Sequence, residues 1–91
     1  MDMVEEKIGI VEHFFTNINV AAIKITDSEL KIGDTVHFVG AHTDVTQQVD
    51  RMEINRAPVE IAKKGDAIGI KVTEKVRDHD IVYKIPKGET A

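Results

Sequence analysis

The chain has 91 residues, with 12 Lys and Arg against 16 Asp and Glu, and a formal net charge of −4 at pH 7. That length makes one domain, large enough to bury about 60–65% of its unfolded surface around a small core. It has no cysteine, which excludes disulfides, thiolate chemistry and cysteine-ligated metal centres; with no apolar run near the roughly 20 residues of a membrane span, a cytoplasmic protein is expected.

Residues 1–6 read as a flexible N-terminus. Residues 7–15 read as the first strand, and Gly9 inside it predicts a bulge or a close backbone approach. Of its two phenylalanines, one is expected in the core and the other packed under the loop at Asn17. Residues 16–19 form a turn whose two asparagines tolerate left-handed backbone. Residues 20–25 are the second strand, with Ile23 and Ile25 on one face. Thr26-Asp27-Ser28-Glu29 has capping-box spacing, but no long apolar periodic run follows it. One short helical turn is the most it can start.

Gly33-Asp34 turns into a strand at 35–39, with Val36 and Phe38 facing one way, and residues 40–44 form a loop. Residues 45–54 are the longest strand candidate. Val45 and Val49 are odd-numbered and Met52 and Ile54 even-numbered, so one face cannot bury both sets; a bulge is expected near Asp50-Arg51. Pro58 cannot donate to a central ladder, so residues 55–58 should leave the sheet. Ile68, Ile70 and Val72 share a face of the next strand, and residues 81–85 are the last. Residues 86–91 read as a tail.

One unit recurs. Lys31-Ile32-Gly33-Asp34, Lys63-Lys64-Gly65-Asp66 and the degenerate Arg77-Asp78-His79-Asp80 each lead into an apolar, β-branched run. Glycine supplies the positive φ of such turns, and Asp can bond nearby backbone. Three turn-strand units, short loops and no strong helix predict an all-β chain. A single closed antiparallel Greek-key barrel of six to seven strands over residues 7–85 removes exposed edges and is the expected architecture, ahead of an open sandwich.

The segments 29–36, Val49-x-x-Met52-Glu53-x-x-Arg56, 62–70 and Val76-Arg77-x-x-Asp80-x-Val82-Tyr83 resemble domain two of translational GTPases, the β-barrel of elongation factor Tu and initiation factor two. The chain also looks like small free-standing proteins made of this barrel alone, and like the barrel appended to some collagenase-like peptidases. The first resemblance implies a barrel that docks on tRNA, the ribosome or a translation-associated protein. It places Glu53 and Arg56 where that family contacts the terminal adenosine of tRNA. The Asn that belongs two residues after the matched Gly65 is Ala67 here, and the GTPase domain is absent.

Other chemistry is thinly represented. There is no G-x-x-x-x-G-K-[ST] string, hence no nucleotide cofactor is expected. His42-x-Asp44 and Asp78-His79-Asp80 each fall short of the three or four ligands that zinc needs. Ser28, the one serine, reads as a turn residue. Glu53 and Arg56 are either a nucleobase or sugar contact or an ordinary surface ion pair, and Arg51 and Lys71 could widen that surface. The expectation is therefore a non-catalytic binding module of translation-factor type, without metal or cofactor. The alternative is an adaptor barrel that docks on a separately encoded enzyme. The net charge disfavours general nucleic-acid binding but leaves a local contact open.

Overall fold

The computed structural model describes residues 5–85, so the expected tail and residues 1–4 lie outside the described residues. Ten strands follow one another: β1 Glu6–Phe15, β2 Val20–Ile25, β3 Glu29–Lys31, β4 Thr35–Gly40, β5 Thr43–Gln48, β6 Met52–Ile54, β7 Ala57–Val59, β8 Ile61–Lys63, β9 Ala67–Lys71 and β10 Ile81–Ile85. Eight form one antiparallel sheet in the order β5-β4-β10-β1-β2-β9-β6-β7, and β3 pairs β8 separately. Among the described residues no helix is long and apolar enough to cross a membrane.

The all-β antiparallel expectation holds, but the closed barrel of six to seven strands does not. Among the described residues the sheet ends in two edges, β5 and β7, with no ladder joining them. Between β5 and the end of β9 a single side chain spans the gap. The Gln47 amide donates to the Lys71 carbonyl at 3.0 Å and accepts the Thr73 N–H at 2.9 Å. Beyond it, Val49 exchanges backbone bonds with Gly33 and Asp34, both at 2.8 Å. Closure stops there because the chain leaves strand geometry at Val49–Arg51.

That departure also corrects the expected long strand. The change of apolar parity produces a break rather than a bulge. β5 pairs only with β4, while β6 pairs with β9 and β7, so Val45 and Met52 reach the same core from different places in the sheet. Pro58 stays in a strand after all. β7 is an edge, where a missing N–H costs no ladder bond. The capping-box spacing at Thr26 starts no helix: Ser28 turns the chain at φ 62° and β3 begins at once.

Gly9 behaves as read. The register of β1 against β10 shifts between Lys7 and Gly9, and a Cβ at Gly9 would collide with the Lys24 carbonyl oxygen across the ladder. The expected faces bury as well, with Ile23, Ile25, Val36, Phe38, Ile68, Ile70 and Val72 all in the core. Each such side chain contributes about 1.5–3 kcal/mol by leaving water. Phe14 is buried, but Phe15 does not pack under the Asn17 loop. It stays 45% exposed, edge-on to the His13 ring at 4.5 Å.

The three repeated units fold into one kind of turn. In each, the Asp N–H donates to the carbonyl of the basic residue three positions earlier: Asp34 to Lys31 at 3.0 Å, Asp66 to Lys63 at 2.9 Å, Asp80 to Arg77 at 3.2 Å. The Asp carboxylate then accepts that same residue's N–H, at 2.9, 2.8 and 2.8 Å. The third residue has positive φ: 95° at Gly33, 97° at Gly65 and 74° at His79. Histidine in the left-handed region costs about 1–2 kcal/mol, against about 0.5–1 kcal/mol of extra unfolded-state freedom for glycine. His79→Gly is therefore expected to raise stability by about 0.5–1 kcal/mol in urea unfolding. Loss of stability would mean that the imidazole contributes more than the backbone strain costs.

Candidate functional site

Three of the four sequence-selected residues come together. Arg51 sits in the break before β6, Glu53 in the middle of β6, and Lys71 at the end of β9, the strand that pairs with β6. With Val20 of β2 and Gly69 they line a groove of about 250 Å³. Gly69 lies between Ala22 and Glu53 in the ladder, so its missing side chain helps keep the groove floor low. Arg51 Nη2 meets Glu53 Oε2 at 3.2 Å, both side chains well exposed. Such a pair is worth about 0–1 kcal/mol, so it organises the groove more than it stabilises the fold.

Arg56 is placed elsewhere. Ile54 pairs with Ala57, which leaves Asn55 and Arg56 as a two-residue hairpin turn with φ of 52° and 67°. Two positive φ angles in succession are the mark of the type I′ turn that suits antiparallel strands. Glu53 lies back on the ladder opposite Pro58. The three-residue spacing from Glu53 to Arg56 thus spans a reversal of the chain. The ion pair forms between Glu53 and Arg51 instead.

A second cluster escaped the sequence reading because its members are far apart in the chain. His37 on β4 is held from both sides, Nδ1 to Glu5 Oε1 at 2.7 Å and Nε2 to Asp44 Oδ1 at 2.5 Å. Asp44 reaches it because the tight β4–β5 hairpin sets Val39 opposite Asp44 and His37 opposite Thr46. The alternation of buried and outward positions along β4 is the one local signal that points His37 to the surface. With a carboxylate at each nitrogen, both ring nitrogens act as donors, which favours the imidazolium.

The acidic residues of the Asp78-His79-Asp80 segment have structural partners. Asp78 accepts the Phe14 N–H at 3.0 Å and lies 3.5 Å from His13 Nδ1. Asp80 closes its turn. Among the described residues no three His, Cys, Asp or Glu side chains gather in a way that could hold a metal ion.

Burial pushes the His37 pKa down, but the hydrogen bonds its ring donates to Asp44 and Glu5 and the two negative charges outweigh it, and the net shift is upward from the ordinary value of 6.5. A folded-state pKa above the unfolded one gives stability that is present in full below pH 6.5 and lost as pH rises through the raised value. Urea unfolding across that window should show the decline in the native chain and a flatter profile in His37→Gln. Identical profiles would show that the two carboxylates do not hold the proton.

No family model matches the chain. It is 42% identical over 78 residues to an uncharacterized protease of Methanocaldococcus jannaschii, a match covering 85% of this chain and 19% of that protein. It is 39% identical over 77 residues to a collagenase of Porphyromonas gingivalis, covering 84% of this chain and 21% of the collagenase. The chain thus spans about a fifth of the length of these curated relatives. Among solved structures it superposes on the C-terminal domain of a Geobacillus thermoleovorans protein inferred to be a U32 peptidase. The TM-score is 0.80 at 18% identity, over 87% of this chain and 91% of that domain. That likeness shows a shared fold.

These findings overturn the translation-factor expectation. The relatives carry protease and collagenase names, and the matching solved domain comes from a peptidase, not from a translational GTPase. The expectation of a non-catalytic translation module, its alternative of an adaptor for a separately encoded enzyme, and the reading that the chain is not an enzyme are corrected with it, since the relatives are named as protease and collagenase.

Proposed function

We propose that the chain is a peptidase-family domain of the U32 and collagenase kind, and that it supplies a surface on which a peptidase receives its protein substrate. The observation that carries this reading is the 42% identity to a protease across 85% of the chain. The shared fold with a peptidase C-terminal domain supports it. So does the shape of the candidate site, an open groove of about 250 Å³ at the surface of a sheet. A groove open along a sheet surface suits a length of polypeptide better than it suits a small molecule, which usually takes an enclosing cleft.

A domain exchange tests the reading. The segment of the Porphyromonas gingivalis collagenase that matches this chain is replaced by this chain, and release of peptides from gelatin is followed. The chimera is expected to retain more activity than the collagenase lacking the segment. A folded chimera no more active than the deletion would remove the proposal.

A further inference from the structure

We propose that the seam between β5 and the end of β9 is a slot for an extended polypeptide segment bearing a carboxylate. This rests on the peptidase reading and names the class of substrate segment that the surface would hold.

The first observation is what fills the seam. A carbonyl and an N–H two residues apart point to the same side of an extended strand, where a neighbouring chain bonds them. Lys71 pairs with Val20 of β2 on one side, but on the other side no strand among the described residues pairs with Lys71 or Thr73, and the Gln47 side-chain amide bonds both groups instead. An amide on a flexible side chain there stands in for a peptide unit. The site is thus shaped for backbone, and its occupant can swing out. The outer edge of β5 faces the same gap and has no strand partner among the described residues.

The second observation is charge. Two grooves meet at the seam, of about 250 Å³ and about 370 Å³, and both are lined by Arg51 and Lys71. In the smaller groove these two cations face one carboxylate, Glu53, which is taken by Arg51 at 3.2 Å. Lys71 has no carboxylate within ion-pair distance among the described residues. In a chain of net charge −4, that leaves a local preference for one negative group beside the Gln47 slot. Asp50 in the larger groove opposes a longer acidic run. A polypeptide backbone across Lys71–Thr73, with one Asp or Glu side chain turned toward Lys71, meets both requirements. This is strand addition at a sheet edge, with a charged subsite fixing the register.

The test is an amide-resolved titration of the whole chain with an unstructured eight-residue peptide carrying one central Asp. Its Asn counterpart and a single-stranded RNA oligonucleotide serve as comparators. The Asp peptide is expected to move the Gln47 side-chain and Thr73 backbone signals and to saturate. The exposed substitution Lys71→Ala should weaken it by about fivefold, the scale of one exposed ion pair. Gln47→Ala, which clears the slot, should tighten it. Silence at these amides up to millimolar peptide overturns the proposal. So does equal binding of the Asn peptide, unchanged affinity in Lys71→Ala, or RNA moving the same signals at lower concentration. An active collagenase chimera with a silent titration removes the slot alone. An inactive chimera with a saturable slot removes the peptidase reading and leaves a peptide site.

Discussion

The carboxylate that bonds backward across a four-residue turn is the constraint on which the sheet depends. Asp34, Asp66 and Asp80 each accept the N–H of the residue three positions earlier while donating their own N–H to its carbonyl. A turn tied twice has little freedom, so it fixes the direction of the strand that follows. β4, β9 and β10 all start from such turns, and they supply Val36, Phe38, Ile68, Ile70 and Val82 to the core. Asp34 and Asp80 are themselves buried, which ties the turn bonds to the packing beneath them. The local interaction and the hydrophobic face thus cooperate: neither would place these strands alone.

Much of this was legible because it is local. Gly-Asp strings announced the turns, and alternation announced the inward faces of β2, β4 and β9. Even the degenerate third copy folded like the others, with His79 taking the glycine conformation. What could not be read was decided by distant parts of the chain. Whether the sheet closes depends on the gap between β5 and β9, which one glutamine side chain fills. The parity change at residues 49–52 announces that something must give, yet bulge and break satisfy it equally until the partners of β6 are known. In the candidate site, Arg51, Glu53 and Lys71 gather because β6 and β9 pair, whereas Arg56 belongs to a turn that sequence spacing alone read as continuous surface. The His37 cluster joins Glu5, His37 and Asp44, which share no motif.

The family likeness misled for a related physical reason. Three of the four strings that matched translation-factor barrels are those that write the Asp-closed turns and the strands they launch. Any chain that folds this way needs a small residue at positive φ, a carboxylate after it and alternating apolar positions. Such strings report the architecture and carry little about the work done on its surface. Of the residues that would distinguish one use from another, Gln47 and Lys71 lie outside those strings and Arg51 falls at one of their unspecified positions.

The small second sheet has a consequence for the order of assembly. β3 and β8 contribute only three residue pairs, yet they join Leu30 to Ala62, both wholly buried, across more than a third of the described chain. Closing so long a loop for so few contacts is unfavourable until the main sheet has brought its ends together. The two strands therefore act as a clasp that forms late and seals one end of the core. Its integrity reports on the whole molecule, since any lesion that loosens the larger sheet opens the clasp first.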